Sequence, residues 1–490
     1  METQRAIEIL HVCSEIHPLN KVGGLGDVTY ELPKAINGSG EGKCVVIAPL
    51  NKPAKTNIEK LSLEIEKIGE VCVPLNWRCY KLPIFKLSLD EKLNIYLIGG
   101  DIIENSPPYP EKEEVSYKLS FPLLCLGAIE GIKERLFEIT PHLIHVHDWP
   151  TSLIPIFKYF HRYYREIPMP PTILSIHNIA HQGIYEPEVI DQWHLLSTSF
   201  DISYLEFWGK VNLLKGGIIL SDAIVAVSQS YAEEIQKPEY GFGLDGVVRE
   251  QTHKLYGITN GIDEERWNPA TDEFIPFRYD DKNMEGKKRC KKALLEELAL
   301  EEKTEKPLIS MISRIASQKG FDILIPAIPE ILKMETQLVI LGKGDPYFSK
   351  ELATLEREYA HCYRFINEFD ESLARRIYAG SDMLLMPSLY EPCGITQMIA
   401  LRYGTLPIAR KVGGLKDTIK DIDDDDGWGF LFDEYSQSAL IEAVRKAINI
   451  YRNEKTKFNE AIRKAMRLDF SWSSRAKLYL EVYRKVAKKR

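Results

Sequence analysis

Two cations and one carboxylate follow predicted strands in the second half of the chain. Arg314 and Lys319 lie in SRIASQKG, directly after the apolar run 308–312, and Glu391 lies in PSLYEPCG after the run 383–386. A guanidinium can hold two phosphate oxygens at once, and an ammonium acts as a point charge. One loop carrying both could bind a diphosphate, while the carboxylate could accept the hydroxyl groups of a sugar or ribose. The alternative for the cations is a pair of solvated surface charges.

A predicted helix begins near Ile395, directly after the glutamate segment. The N–H groups of Gly394 and Ile395 could face a phosphate there, because a helix N-terminus carries partial positive charge. An acidic residue such as Glu391 also stabilises the start of a helix without any ligand. The residues alone leave both interpretations open.

A glycine heptad occurs twice, as KVGGLGD at 21–27 and as KVGGLKD at 411–417. Each copy follows an apolar run and precedes a helix-like stretch. Glycines lack a Cβ, so backbone N–H groups at such a turn can approach an anion. The pair predicts two related α/β domains facing one ligand, although a short glycine turn without a ligand is a frequent alternative. The first copy, with Gly26, is the stronger candidate for closing on a ligand, since Lys416 replaces that glycine in the second.

Two polar segments, HVHDWP and HNIAHQG, follow predicted strands in the first half of the chain. They contribute His147, Asp148, Trp149, His177, Asn178 and Gln182. An indole face suits the C–H groups of a sugar, and the polar side chains suit its hydroxyls. A single histidine is more often structural, but the clustering of hydrogen-bonding groups at strand ends favours a binding site.

These residues must be positioned by short apolar strands that alternate with helical patterns. The predicted strands are 7–12, 44–48, 93–98, 143–146, 172–176, 223–227, 308–312, 337–341, 383–386 and 405–409. Apolar strands separated by helices predict parallel sheets covered on both faces. Ligands of open α/β sheets bind at the carboxyl ends of the strands, where the polar segments lie. The predicted fold class is therefore α/β with two Rossmann-like domains.

The bulk composition excludes several classes of protein. The formal charge is −8, from 63 basic and 71 acidic residues, and no long basic block suggests a nucleic-acid partner. No apolar run approaches the ~20 residues that span a bilayer. Eight cysteines without a C-x-x-C pair predict reduced thiols rather than a disulfide framework or zinc site. With a first strand starting near residue 6, leaving no room for a targeting segment, these features predict a cytoplasmic protein.

The acidic run DIDDDDG at 421–427 could suggest a metal site. Acidic runs are usually solvated, and this one lies in a polar loop before a Gly-Trp-Gly turn. Histidines and cysteines show no zinc spacing either. The sequence therefore predicts neither a metal nor a cofactor.

The alternating pattern weakens between residues 263 and 306, which places a domain boundary near 250–260. The predicted domains are 1–254 and 255–470, each Rossmann-like, and a C-terminal helix, 471–490, that crosses back to the first domain. Its apolar residues, such as Trp472 and Tyr483, are available for packing. Two such domains should hinge, and closure would exclude water.

The ordered motifs carry a family resemblance over essentially the whole chain, from about Ile7 to Trp472. They read KVGGLGDV, HVHDW, HNIAHQG, ITNGID, SRIASQKG, LGKGDP, NEFDESLARRIYAGSDMLLMPSLYEPCGITQMIALRYGTLPIARKVGGLKDT and GWGFLF. This set closely resembles the bacterial glycogen synthase and plant starch synthase family. The resemblance implies a GT-B architecture, with two Rossmann-like domains facing a deep interdomain cleft. It also implies a retaining, metal-free transfer of glucose from ADP-glucose to the non-reducing end of an α-1,4-glucan.

The family's residue roles transfer onto matching positions. The implied catalytic residues are Arg314, Lys319, Glu391 and His177. The implied substrate-binding residues are Lys21, Gly23, Gly24, Asp27, Asp148, Asn178, Asn260, Cys393, Gly394, Ile395 and Thr396. In this scheme the first domain carries the acceptor side and the glycine loop, and the second binds the nucleotide sugar.

The sequence departs from the family pattern at a few positions. Val22 replaces a threonine, His181 replaces a tyrosine, and Leu389 stands where arginine is frequent. In the wider retaining GT-B group a second glutamate often stands where this chain has Ile399. None of these changes removes a principal charged residue, so we retain the predicted activity.

Other functions remain as alternatives at this point. One is a UDP-glucose-dependent retaining glucosyltransferase of the same fold, and another is a non-catalytic glucan-binding homologue. A phosphorylase would need a lysine for pyridoxal phosphate and a much longer chain. The sequence does not indicate the oligomeric state.

Overall fold

A computed structural model of the chain describes residues 6–90 and 92–488. The chain divides into two compact units. The first unit comprises Met1–Asn260 together with Trp472–Arg490, and the second comprises Gly261–Ser471. No helix in the described ranges is both long and apolar enough to cross a membrane.

The first unit is built on a nine-stranded sheet and a small three-stranded sheet. The strands are β1 Ile7–Val12, β2 Gly42–Pro49, β3 Glu66–Leu75, β4 Arg78–Asp90, β5 Leu93–Ile98, β6 Leu143–His147, β7 Thr172–Ile176, β8 Ile184–Tyr185, β9 Glu206–Phe207, β10 Lys210–Asn212, β11 Ala223–Ala226 and β12 Leu255–Gly257. The large sheet has the order β12-β11-β7-β6-β1-β2-β5-β4-β3, and the small one has the order β8-β10-β9. The large sheet is parallel except where β4 pairs with β3 and β5.

Helices cover this sheet, and its central strands are buried along their length. The helices are α1 Gly24–Ser39, α2 Lys52–Lys60, α3 Asp101–Glu104, α4 Ser120–Lys133, α5 Asp148–Thr151, α6 Leu153–Phe160, α7 Val189–Gln192, α8 Leu213–Leu220, α9 Gln229–Glu234, α10 Pro238–Gly241 and α11 Asp245–Glu250. Every residue of β6 and β7 is buried, as expected for central parallel strands that are covered on both faces, and the buried set includes the polar residues His145, His147 and Ser175.

The second unit has one six-stranded sheet, which is parallel throughout. Its elements are α12 Glu285–Glu297, β13 Leu308–Ile312, α13 Phe321–Lys333, β14 Gln337–Leu341, α14 Pro346–Glu358, β15 Tyr363–Ile366, α15 Glu371–Gly380, β16 Met383–Met386, α16 Thr396–Arg402, β17 Leu406–Arg410, α17 Gly413–Thr418, β18 Phe430–Phe432, α18 Gln437–Asn453 and α19 Lys455–Ala465. The sheet order is β15-β14-β13-β16-β17-β18.

The last helix, α20 Trp472–Ala487, packs in the core of the first unit. Trp472, Tyr479 and Tyr483 are buried there in one cluster with Ile7 and Ile9 of β1. Burial of a large apolar side chain stabilises a fold by about 1.5–3 kcal/mol. The C-terminal helix is therefore an integral part of the first unit's core.

The cysteines do not all behave as the composition predicts. Cys72 and Cys79, on β3 and β4, form a disulfide bond across this hairpin, with their Cα atoms 5.9 Å apart. The other six cysteines are buried and form no disulfide bond within the described residues. The prediction of reduced thiols was wrong for this pair. The two residues are brought together by the pairing of β3 with β4, and the absence of a C-x-x-C motif does not exclude such a pairing.

Candidate functional site

The order of strands in the second unit places its charged motifs together. The strand order reverses between β13 and β16, and such a switch point is where open α/β sheets bind ligands. Arg314 and Lys319 follow β13, and Glu391 follows β16. The two loops therefore leave the same edge of the sheet from neighbouring strands.

Lys319 and Glu391 form an ion pair at this edge. The Lys319 Nζ lies 2.6 Å from Oε2 of Glu391, and the Ser388 hydroxyl donates to the same oxygen at 3.1 Å. The glutamate side chain is only 7% exposed. Its other oxygen, Oε1, has no hydrogen-bond partner in the described ranges, which leaves it able to accept a ligand hydroxyl.

The loop of Lys319 is pressed against the loop of Glu391. Gly320 has φ +79°, and a Cβ at this position would lie 2.0 Å from the carbonyl oxygen of Pro387. The N–H of Leu389 also donates to the carbonyl of Gln318 at 2.8 Å. Only glycine fits this close approach, which fixes the position of Lys319 relative to Glu391.

Arg314 differs from Lys319 in its surroundings. Its side chain is exposed, and it has no ion pair or hydrogen bond with any residue in the described parts of the chain. A guanidinium without an internal partner can take up an external anion with both of its paired N–H groups.

The second glycine heptad supports the glutamate segment. The N–H of Gly414 donates to the carbonyl of Glu391 at 3.0 Å, and a Cβ on Gly414 would lie 2.0 Å from the carbonyl oxygen of Cys393. The turn 411–417 is therefore a packed support for the Glu391 loop. Gly414 is required by the neighbouring backbone of Cys393.

The residues that precede α16 are held by a buried amide. Gln397 donates to the carbonyls of Cys393 and Gly394, each at 3.0 Å. Cys393 is buried, and Gly394 has φ +72°. The N–H groups of Gly394 and Ile395 have no acceptor among the residues described, so they remain free for an anion where the sequence predicts one. Thr396 begins the helix itself.

The first unit has a corresponding switch point between β1 and β6. The glycine loop follows β1, Asp148 follows β6, and His177 and Asn178 follow β7. All of these residues were predicted from the sequence, and the sheet brings their segments to one edge.

An internal carboxylate engages the first glycine loop. Oε2 of Glu15 accepts the N–H groups of Val22 and Gly23 at 2.7 and 2.9 Å, and its Oε1 accepts the Tyr109 hydroxyl. Gly23 was predicted to offer its N–H to a phosphate. That N–H is bonded to Glu15 here, so phosphate binding by Gly23 stays a prediction that requires this hydrogen bond to open.

The charges that flank the loop also pair with each other. Lys21 Nζ lies 2.6 Å from a carboxylate oxygen of Asp27, and both side chains remain partly exposed. Gly24 is the first residue of α1, at the positive end of its helix. The loop thus presents one cation and one helix N-terminus.

Asp148 ties the two neighbouring strand ends together. Its Oδ1 accepts the backbone N–H groups of His177 at 2.7 Å and of Asn178 at 3.4 Å. Its backbone has φ +55°, a conformation that L-residues seldom adopt outside functional or turn positions. Burial raises the pKa of the Asp148 carboxyl to about 7, although the two N–H groups act in the opposite direction.

Two residues predicted to bind sugar serve mainly in packing. Trp149 lies in an aromatic cluster with Phe121 and Tyr185, and a Cβ on Gly183 would lie 2.3 Å from its ring. Gln182 is buried. Its side-chain N–H donates to the carbonyl of Phe242, and its Oε1 accepts a hydrogen bond from the side chain of Asn212. Both side chains therefore have a packing role, and their contacts with a sugar stay predictions.

Asn260 and the acidic run 421–427 differ in whether their polar side chains have partners. Asn260 is buried, and its Oδ1 has no hydrogen-bond partner within the described ranges. In the acidic run, Asp421 and Asp423 each lie 2.7 Å from Lys446. These ion pairs favour the interpretation of a charge-balanced loop over a metal site.

Comparisons with known proteins agree with this architecture. Residues 8–250 match the model of the starch synthase catalytic domain, and residues 296–465 match that of glycosyl transferases group 1. A glycogen synthase of Pseudothermotoga lettingae is 38% identical over 99% of this chain and 100% of its own length. A glycogen synthase of Thermotoga maritima is 37% identical, over 99% of both chains.

The chain belongs to the glycogen synthase and starch synthase family. It is similar in structure to the catalytic domain of starch synthase IV from Arabidopsis thaliana, solved with ADP and acarbose, with a TM-score of 0.89, 30% identity and coverage of 99% of this chain and 100% of that one. A sucrose-phosphate synthase from Thermosynechococcus elongatus, 16% identical with a TM-score of 0.61, shares the fold. The predicted family, GT-B fold and glycosyltransferase activity are confirmed.

Motif reading missed two residues of this glycosyltransferase that contact predicted site residues. Glu15 binds the glycine loop, and His11 lies behind the predicted catalytic histidine. A sequence signal existed for both. His11 is a polar residue within the buried strand β1, where an apolar residue would be expected, and Glu15 is an acidic residue in the segment that follows this strand.

Asp148 of the synthase should make stability depend on pH. Its folded-state pKa, about 7, lies above the ordinary value of 3.8, so the folded protein holds this proton more tightly than the unfolded chain. Its contribution to the free energy of unfolding is therefore largest below about pH 4 and falls as pH rises to about 7. Asp148→Asn has no such titration.

The measurement is the melting temperature of wild type and of Asp148→Asn from pH 4.5 to pH 8. We expect the wild type to lose stability relative to the variant as pH rises through this interval. Subtracting the two melting temperatures at each pH removes the contribution of the other titrating groups, because both proteins retain them. A difference that stays constant across the interval would contradict the assignment.

Proposed function

We propose that this enzyme transfers glucose from ADP-glucose to the non-reducing 4-hydroxyl of an α-1,4-glucan, with retention of configuration, in glycogen biosynthesis. The observation that carries the proposal is the Lys319–Glu391 pair beside Arg314 at the switch point of the second sheet. Relatives of the same length are glycogen synthases, and a structural neighbour binds ADP and acarbose.

The second unit supplies the charges that departure of the diphosphate requires. In the transition state the bond from C1 of glucose to the phosphate oxygen lengthens, which places positive charge on the sugar and negative charge on ADP. Lys319 has ammonium hydrogens beyond the one donated to Glu391, and the guanidinium of Arg314 has no partner among the residues that the structure describes. Preorganised cations in a partly buried site stabilise such charge strongly.

Glu391 is proposed to bind the donor glucose through its hydroxyl groups. Its Oε2 is occupied by Lys319 and Ser388, so the available acceptor is Oε1. The N–H groups of Gly394 and Ile395 would meet the donor's phosphates, with Cys393 and Thr396 completing the loop. The carboxylate thereby both orients the lysine and positions the sugar.

The first unit is proposed to contribute the groups that hold the glucosyl unit and the acceptor. His177 and Asn178 bind the glucosyl unit, and Asp148 orients their backbone. Lys21 and Gly24 approach the donor phosphates. Asp27 holds the ammonium group of Lys21 in an ion pair, and Gly23 forms part of the glycine loop. The buried amide oxygen of Asn260 has no partner in the described ranges and is available to a ligand.

Retention is explained by substitution on one face of the sugar. The acceptor O4 bonds to C1 as the phosphate oxygen leaves, and the hydroxyl proton passes to the departing phosphate. No carboxylate nucleophile is needed for this step, in contrast to retaining glycosidases. The cations Arg314 and Lys319 take the place that a metal ion fills in metal-dependent transferases.

We propose that residues 1–254 bind the acceptor, that residues 255–470 bind the nucleotide sugar, and that the helix 471–490 belongs to the first domain. We also propose a cytoplasmic location. The buried free thiols suit a reducing compartment, whereas the exposed Cys72–Cys79 bond is an observation against it.

The decisive experiment measures incorporation of radiolabelled glucose into glycogen from ADP-glucose and from UDP-glucose, each with and without EDTA. We expect incorporation from ADP-glucose at a rate that EDTA leaves unchanged. Faster transfer from UDP-glucose would replace the donor assignment. No transfer from either donor would indicate a glucan-binding protein, and loss of activity with EDTA would point to a metal.

A further inference from the structure

A line of three imidazoles runs through the first sheet and ends at His177. His11 lies in β1, His147 ends β6, and His177 follows β7, on strands that are adjacent in the sheet. Nδ1 of His11 lies 3.2 Å from Nε2 of His147, and Nδ1 of His147 lies 3.1 Å from Nε2 of His177. His11 and His147 are fully buried.

This arrangement couples the proton positions of the three rings. A neutral imidazole has one N–H donor and one acceptor nitrogen, so each ring that accepts at one nitrogen must donate at the other. The choice made at His11 therefore passes through His147 and decides which nitrogen of His177 carries its proton. The protons of the three rings therefore have two possible arrangements, and each arrangement fixes the tautomer of all three rings.

The surroundings of His11 favour one of these states. Its Nε2 is buried without a hydrogen-bond partner among the described residues. A proton on that nitrogen would be an orphaned donor, which is rarer and costlier in protein interiors than an unpaired acceptor. The proton therefore belongs on Nδ1, where it is donated to His147. His147 then donates from its Nδ1 to Nε2 of His177, and His177 carries its proton on Nδ1.

Nδ1 of His177 is the one nitrogen of the line that a ligand can use. It has no partner within residues 6–90 and 92–488, and the residue is only partly buried. Burial also lowers the pKa of His11 and of His177 to about 3, so the rings stay neutral and the donor and acceptor positions stay distinct. We infer that His11 and His147 are positioning residues that fix His177 as an Nδ1–H donor toward the glucosyl unit, an inference that rests on the proposed role of His177.

A metal ion is the other use that a histidine cluster allows. Ring nitrogens of His11, His145 and His147 lie within 4.8 Å of one another. Both nitrogens of His145 are engaged, however, by the hydroxyls of Tyr483 and Ser175 at 2.7 Å each. The lone pair of His147 Nε2 is engaged by His11 in the favoured state. The hydrogen-bond line accounts for these contacts without a metal.

The test compares His11→Leu, which removes the first donor, with His11→Asn, which keeps a polar group where Nδ1 stands. We expect His11→Leu to lower kcat by roughly tenfold to hundredfold, by analogy with the loss of a partner that orients a metal-ligating histidine, with KM little changed. His11→Asn should restore most of the rate. Tyr483→Phe is the matched control, because it removes an equally buried hydrogen bond from His145 outside the line and should leave kcat unchanged.

A double-mutant cycle separates positioning from a general loss of structure. In a His177→Ala background, His11→Leu should cause no further decrease in kcat, because the residue acts only through His177. An equal decrease in both backgrounds would overturn the inference. Melting temperatures of all variants confirm that the compared proteins are folded.

The tautomer itself can be observed without any assay of activity. Nitrogen NMR of the full chain labelled in its histidine rings, with the His177 signal assigned by its absence in His177→Ala, reports which nitrogen is protonated. We expect Nδ1–H in wild type and His11→Asn, and a mixture in His11→Leu. An Nε2–H form of His177 in wild type would refute the inference, whereas absence of glucosyl transfer with the Nδ1–H form present would refute only the proposed function.

Discussion

Replacing Lys319 with alanine should lower kcat for glucosyl transfer by about a hundredfold to a thousandfold, the cost of losing one preorganised donor to a developing anion. The lysine lies 2.6 Å from Glu391 on a loop fixed by the close approach of Gly320 to Pro387. Water cannot restore a charge held at that position. Steady-state kinetics with ADP-glucose and glycogen measure the change, and KM for the acceptor should move far less than kcat.

The control must separate chemistry from stability, because Lys319→Ala leaves the buried Glu391 carboxylate without its cation. Lys350→Ala removes an exposed cation from α14 of the same unit and should leave kcat unchanged. Replacing both members of the pair, with Lys319→Met and Glu391→Gln, removes the stranded charge and should stay inactive. Recovery of activity in that double variant would show that the pair is only structural.

Gly414→Ala should destabilise the second unit far more than Gly23→Ala, at the equivalent turn of the first heptad, destabilises the first unit. The new Cβ would lie 2.0 Å from the carbonyl oxygen of Cys393, a backbone atom that cannot rotate away. Overpacking of a well-packed site costs about 1–3 kcal/mol, and a rigid backbone contact belongs at the upper end. Because Gly414 also donates to the carbonyl of Glu391, the displacement should reduce both melting temperature and kcat.

The duplicated motif provides its own comparison. In the first heptad, a Cβ on Gly23 would meet no atom within 4 Å, and the backbone there is extended at φ −140°. Gly23→Ala should therefore leave the melting temperature close to that of wild type, whatever it does to donor binding. Equal melting temperatures for Gly414→Ala and wild type would refute the packing role of the second heptad.

Much of the fold could be read from the chain because its strands are parallel and buried. The runs 172–176 and 337–341 are mainly apolar segments, and both are buried strands, β7 and β14. The two glycine heptads do mark strand-to-helix turns, and each overlaps the first turn of the helix that follows, α1 and α17. Local patterns of this kind are set by residues close in sequence, so they are visible without the structure.

The features that the sequence does not predict depend on contacts between residues that are distant in sequence. Glu15 bonds Tyr109, which is 94 residues away, and His147 lies 136 residues beyond His11. The two heptads look alike, yet one is held by an internal carboxylate and the other is pressed against Cys393. The disulfide pair Cys72–Cys79 likewise follows from hairpin register. Each fact requires knowledge of which strands become neighbours.

The helix α20 imposes an order of assembly on the growing chain. Its residues Trp472, Tyr479 and Tyr483 complete a core that begins with Ile7 and Ile9. The whole second unit, 261–471, is synthesised in between. At ordinary translation rates, the first unit therefore waits on the order of ten seconds or more for its last core element, while the second unit can already fold. The first unit is therefore the first to be synthesised and the last to complete its core.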